Sequence, residues 1–257
     1  MYGICDIACV PMRREPNHRS EQVSELLFGD SFQILENQSD WIKIKCSYDD
    51  YEGWIANSLF TAYSATEYKL DLKKKHACSY DLVQPATSKT RQIPILIGST
   101  LPNYDGMIVK FGKEKFTVNG RVTHPKNKYD VAFLQKTAKQ YLHAPYRWGG
   151  KTPFGIDCSG FTQMVFKLMN VRLQRDAYQQ ATQGKFITFV NHTKAGDLAF
   201  FGENDAITHV GILLDEETII HASGKVRIDK IDQNGIFNVE TKKYSHKLRF
   251  FKRIKNI

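Results

Sequence analysis

The densest run of chemically capable side chains in this 257-residue chain is Gly155-Ile156-Asp157-Cys158-Ser159-Gly160-Phe161. Beyond Cys158, the apolar residues Phe161, Met164, Val165 and Leu168 recur at helical spacing, so the cysteine is expected in the first turn of a helix. Backbone N–H groups there lack intrahelical partners and the helix dipole is positive, and both favour thiolate over thiol. A thiolate is a nucleophile, and Gly155 and Gly160 would leave room for a substrate backbone.

A nucleophile of this kind needs a base. Of the eight histidines, two sit on strand-like segments: His209 opens His209-Val210-Gly211-Ile212-Leu213-Leu214 and His221 closes Ile219-Ile220-His221-Ala222. Adjacent strands would hold both imidazoles on one edge facing the helix. Cys158 as nucleophile, His209 as base and His221 as the group that fixes the base's tautomer reproduce triad logic in its cysteine form. One cysteine and two histidines could instead hold Zn²⁺, with water in the fourth position. Activity that survives a chelator and dies with iodoacetamide separates the two. The peptidase reading calls for no metal and no cofactor.

The rest of the chain must position these groups. A hydrophobic content of 42% and a charged content of 25% are globular values that exclude disorder. The net charge of +9 comes from scattered lysines, whose densest run is Lys73-Lys74-Lys75, and no nucleic-acid-binding fingerprint accompanies it. Five cysteines without a Cys-x-x-Cys pair argue against a disulfide framework or a zinc ribbon. No apolar run is long enough to span a membrane, and Met1 to Val10 does not read as a signal peptide. The expected location is the cytoplasm, or outside it had a leader been removed. No obligate protein partner is implied.

Short strand signals fill residues 1–62: Phe32 to Leu35, the alternating Trp41-Ile42-Lys43-Ile44-Lys45, and Gly53-Trp54-Ile55. Residues 63–125 carry further strand-like stretches at Ile93 to Ile97, Met107 to Phe111 and Lys115 to Val118, consistent with a second, divergent barrel or with an extended layer. A boundary is expected near residue 126. From Asp130 a helical pattern runs through Val131, Leu134, Ala138 and Tyr141, followed by the Cys158 helix and then by strands at Asp197 to Phe201, His209 to Leu214, Thr218 to Ala222 and Leu248 to Ile254. Helices first and sheet after give an α+β order for 126–257.

Tyr146-x-Trp148-Gly149-Gly150, Asp157-Cys158-Ser159-Gly160-Phe161, Gly196-Asp197-Leu198, His209-Val210-Gly211-Ile212 and His221-Ala222, in this order, resemble the NlpC/P60 cysteine peptidases. The resemblance implies a papain-like α+β catalytic fold, cleavage of bacterial cell-wall peptides, and a Tyr146 hydroxyl near the forming oxyanion. Residues 1–62 resemble the bacterial SH3-like domains of wall-processing enzymes. Two SH3-like barrels before such a catalytic domain resemble, more narrowly, γ-D-glutamyl-L-diamino acid endopeptidases, which require a free N-terminal L-Ala on a murein peptide. That implies amino-group contacts from Asp157 and Ser159, from Tyr51, and from Glu15 or Glu21. Gln174-Arg175 departs from the Pro-Arg that such relatives often carry, in a loop beside the cleft. Hydrolysis of intact wall, and a wall-fragment binder without catalysis, are the alternatives.

Overall fold

The computed structural model describes residues 1–125, 127–128 and 130–254. Its contacts divide the chain into two compact units, Met1–Asn127 and Lys128–Ile257. Lys126, the expected boundary residue, lies outside the described residues.

In the first unit, an antiparallel seven-stranded sheet runs in the order Gln22–Leu27, Cys9–Arg13, Glu52–Ala56, Trp41–Cys46, Ser31–Gln38, Tyr2–Ile4, Thr61–Tyr63. The alternation at Trp41–Cys46 buries Ile42, Ile44 and Cys46 with Val10, Met12, Leu26, Phe32 and Ile55, the inward face that a period of two requires. A helix at Ala65–Leu72, closed by a capping box between Ser64 and Glu67, follows where strands alone are expected. The middle segment is not an extended layer. Its four-stranded and three-stranded sheets bury Ala86, Ile93, Ile95, Val109, Phe116 and Val118. Ile4, Phe28 and Tyr63 belong to that same cluster, and this shared core makes residues 1–127 one unit although two β-folds are legible in it.

The second unit opens with the helix Val131–Gln140, whose N-cap Asp130 accepts the Phe133 N–H at 2.9 Å. Next comes the helix Cys158–Leu168. The spacing of Phe161, Met164, Val165 and Leu168 implies one apolar stripe, yet every residue of this helix is buried. It is a central helix, covered on all sides.

An antiparallel sheet completes the unit, in the order Lys185–Ile187, Lys243–Arg253, Leu198–Phe201, His209–Leu213, Thr218–Ser223, Lys225–Asp232, Gly235–Asn238. Gly235–Asn238 also pairs with Lys243–Arg253, so the sheet closes on itself as a barrel and those strands keep no free edge. One face carries the apolar cluster Ala199, Phe201, Leu213, Ile219, Ile231, Ile236 and Phe251. Counting by twos along the strands places His209, Gly211, His221, Arg227 and Asp229 on that face as well. The strand Lys225–Asp232 is absent from the sequence expectations, and it supplies Arg227 and Asp229 to the site described next.

Candidate active site

Asp157 caps the nucleophile helix. Its Oδ1 accepts the Gly160 N–H at 2.6 Å and its Oδ2 the Gly149 N–H at 2.8 Å, tying the Tyr146-to-Gly150 loop to the helix start. Arg175 completes the arrangement: Nη1 donates to Oδ1 at 3.0 Å and Nη2 to Oδ2 at 2.6 Å, a bidentate pair. The same Nη1 donates to Ser159 Oγ at 3.0 Å, and that hydroxyl donates to Asp157 Oδ1 at 3.2 Å. Arg175 is fully buried. The sequence shows it only as a loop residue, because nothing local announces a partner 18 positions away.

Gly155 and Gly160 do not leave space for substrate. A Cβ at residue 160 would lie 2.3 Å from the Gly150 carbonyl oxygen, and one at residue 155 would lie 2.8 Å from Arg147 Cβ. Both glycines let the protein pack on itself, which fixes the loop before Cys158.

Cys158 is buried, and the helix that it opens packs against the strand His209–Leu213. On the adjacent strand His221 sits opposite Gly211. A Cβ at residue 211 would be 2.9 Å from His221 Cβ and 2.7 Å from Ile219 Cδ1, so glycine is what lets the His221 ring lean across toward His209.

A hydrogen-bond chain runs from there. His209 Nε2 and His221 Nδ1 are 2.8 Å apart, and His221 Nε2 is 3.0 Å from Asp229 Oδ2. Asp229, one strand further, reaches His221 diagonally, and it also accepts from Arg227 Nε at 2.6 Å, Arg227 Nη2 at 3.0 Å and the Val239 N–H at 2.9 Å. Burial alone would raise the Asp229 carboxyl; hydrogen bonds from His221, Arg227 and Val239 outweigh it and hold the group below the usual carboxylate range.

An anionic Asp229 accepts only, so the His221 proton sits on Nε2 and its Nδ1 carries a lone pair. His209 therefore donates from Nε2, leaving Nδ1 as its one basic nitrogen. Two tautomers are set by one carboxylate.

Burial governs the charge states. It pushes the Cys158 thiol up to about 12, helped by the Asp157 charge and opposed by the Val210 N–H and Arg175. Burial also lowers His209 well below its ordinary value, with His221 and His246 adding to the shift, and it lowers His221 despite the Asp229 bond. The resting pair is thiol and neutral imidazole. Desolvation outweighs the helix-end effect that favours thiolate.

Tyr146 is half-buried at the end of the loop, and its hydroxyl is raised by burial and then by the nearby Cys158 charge. Two groups lie outside the sequence expectations: Asp229, on the unforeseen strand, and His246, whose ring stacks on His209 with centroids 4.0 Å apart. Tyr51, Glu15 and Glu21 belong to the first unit. There Tyr51 packs against the barrel core, and Glu21 pairs with Arg14 at 2.7 Å. All five cysteines are free thiols, and no helix among the described residues is long and apolar enough to cross a membrane.

A buried cysteine at a helix start, beside an imidazole whose tautomer is fixed from behind, defines a cysteine hydrolase site. Residues 143–245 match the NlpC/P60 family, and residues 12–59 match the bacterial dipeptidyl-peptidase SH3 domain. The chain is 30% identical to a dipeptidyl-peptidase 6 of Lysinibacillus sphaericus over 85% of its own length and 88% of that protein. It is 27% identical to a γ-D-glutamyl-L-lysine dipeptidyl-peptidase of Bacillus subtilis, over 77% and 71%. A solved NlpC/P60 family protein from Bacillus cereus superimposes with a TM-score of 0.82 at 17% identity, covering 98% of this chain and 99% of that one. The chain belongs to the NlpC/P60 family of cysteine peptidases. Its α+β catalytic fold preceded by a bacterial SH3-like domain agrees with that membership.

Proposed function

We propose that this peptidase hydrolyses the γ-D-glutamyl bond to the diamino acid in murein peptides that begin with a free L-Ala. The observation that carries the chemistry is the tautomer chain Asp229–His221–His209, which leaves Nδ1 of His209 as its one basic nitrogen. The names of the relatives carry the substrate class.

In this mechanism His209 Nδ1 takes the Cys158 proton as sulfur attacks the γ-carbonyl carbon. The positive charge that forms on His209 is stabilised through His221 by buried Asp229. The Tyr146 hydroxyl donates to the developing oxyanion in this proposal, on the resemblance. His209 then gives its proton to the departing amine, and water, deprotonated by the same nitrogen, releases L-Ala-γ-D-Glu from sulfur. Asp157 and Ser159, with Tyr51 and Glu15 or Glu21, enter this proposal as contacts to the free amino group, on the resemblance alone.

A requirement for a free amino end suits peptides already released from the wall, and with them a recycling role in the cytoplasm. Mass spectrometry of the products from L-Ala-γ-D-Glu-L-Lys, from its diaminopimelate counterpart and from their N-acetylated forms tests this. Cleavage after glutamate in the free peptides only is expected. Equal cleavage of the acetylated peptides, or rapid solubilisation of intact sacculi, would overturn it.

A further inference from the structure

Three imidazoles meet at the relay. The ligand nitrogens of His209, His221 and His246 all lie within 4.8 Å of one another, with two of the rings buried and His246 partly open. His246 comes from the long strand Lys243–Arg253, and the proton route described above does not pass through it.

We propose that His209, His221 and His246 form a binding site for a divalent transition ion of the Zn²⁺ class, and that its occupation switches the peptidase off. The donor set selects the ion class. Three imidazole nitrogens without a carboxylate among them suit Zn²⁺ or Co²⁺ and not Mg²⁺ or Ca²⁺, which take oxygen ligands.

The spacing is compatible with one centre. Ligands of a tetrahedral zinc at about 2.0–2.1 Å lie about 3.3 Å from one another. His209 Nε2 and His221 Nδ1, at 2.8 Å, are slightly closer than that, and the whole group spans no more than 4.8 Å. His246 is stacked on His209 with centroids 4.0 Å apart, so its ring must turn out of that stack before its lone pair meets the shared centre, while the His209 and His221 nitrogens move slightly apart.

The outer partner is already built. A ligating histidine ordinarily donates its far N–H to a carboxylate, which orients the ring and raises its basicity, and His221 does so to Asp229 at 3.0 Å. The partly open His246 gives the ion an approach from solvent.

Inhibition follows from the tautomers. An ion on His209 Nε2 needs the lone pair there, so the proton of that nitrogen moves to Nδ1 with no net proton lost. Nδ1–H can no longer accept the Cys158 proton, and the bond between His209 and His221 is replaced by two bonds to the metal. This consequence rests on the peptidase mechanism proposed above; ion binding by itself does not.

The test uses the full chain carrying Cys158→Ala, which removes the thiol as a competing ligand, titrated with Co²⁺ and followed by its visible d–d absorption. One tetrahedral Co²⁺ per chain is expected. Adding His246→Phe, which keeps a stacked ring, should weaken binding by at least about tenfold. Absence of the band in Cys158→Ala, or equal affinity with and without His246, would overturn the site. If circular dichroism shows that His246→Phe does not fold, His246→Asn serves in the same comparison. In the wild-type chain, Zn²⁺ should suppress tripeptide cleavage reversibly by chelator, and His246→Phe should raise the Zn²⁺ concentration needed by a similar factor. Cleavage unaffected by Zn²⁺ while Co²⁺ still binds would overturn the switch. Co²⁺ binding in a chain that cleaves no murein tripeptide under any condition would instead count against the proposed function and leave the site standing.

Discussion

Two buried aspartate–arginine pairs flank the reaction centre, and they do different work. Asp157 and Arg175 are both almost wholly enclosed, with side chains 8% and 1% exposed, and every bond of the Asp157 carboxylate runs to backbone N–H groups, to Arg175 or to the neighbouring Ser159 hydroxyl. That pair fixes the helix start and the loop before it. Asp229 is enclosed, while Arg227 is 10% exposed and reaches exposed Glu240 at 3.0 Å. This second pair fixes a tautomer. One carboxylate therefore holds the nucleophile's backbone in place and the other sets where a proton resides, so substitutions at the two should separate stability from catalysis.

The largest expected effect is at the tautomer end. Asp229→Asn keeps the shape but can present an N–H to His221, inverting the relay; kcat should fall on the order of 10³-fold with KM little changed, and stability by about 1–3 kcal/mol because the same N–H meets Arg227 Nε. Steady-state kinetics on the tripeptide beside a thermal melt checks this, and a loss of folding with no specific loss of kcat would break the comparison.

Arg175→Met should act the other way. It strands the Asp157 carboxylate in the interior, for about 3–5 kcal/mol of stability in a urea titration. Arg227→Met should cost less, about 1–3 kcal/mol, because Asp229 keeps His221 and the Val239 N–H. Equal losses would show that the two pairs are interchangeable.

Gly211→Ala sharpens the distinction within the relay. Its methyl would meet Ile219 Cδ1 at 2.7 Å and His221 Cβ at 2.9 Å, so His221 must move; a kcat loss of at least about tenfold is expected, with about 1–3 kcal/mol of stability.

The pH dependence reads the same burial without any substitution. With the Cys158 thiol raised to about 12 and His209 lowered, the free enzyme holds no thiolate–imidazolium pair at neutral pH. Iodoacetamide alkylation of Cys158 should then rise about tenfold per pH unit between about pH 6 and 9. A rate that is flat across that range would mean that the helix end, not burial, governs the thiol.

Much of this was legible in the sequence and some was not, for physical reasons. Cys158 lies at a helix start that local apolar spacing announces, and His209 and His221 sit on runs of Val, Ile and Leu that read as strands. The strand Lys225–Asp232 reads as a charged surface segment, since Lys225, Arg227, Asp229, Lys230 and Asp232 interrupt Val226, Ile228 and Ile231. Its alternation was a usable signal. That Asp229 points inward depends on barrel closure by the pairing of Gly235–Asn238 with Lys243–Arg253, which is a tertiary fact. Arg175 and His246 meet their partners only across the fold. The glycines mislead in a related way, because Gly155 and Gly160 look like space for a substrate while their missing Cβ atoms are filled by Arg147 and the Gly150 carbonyl.

The central claim is that Cys158 carries the acyl group while the histidine relay moves the proton. Rapid quenching of the enzyme with L-Ala-γ-D-Glu-L-Lys, followed by peptide-level mass spectrometry, tests it most directly. The account predicts an L-Ala-γ-D-Glu thioester on the peptide containing Cys158, and neither adduct nor turnover in Cys158→Ala. Turnover that persists in Cys158→Ala, or an adduct on any other residue, would contradict it.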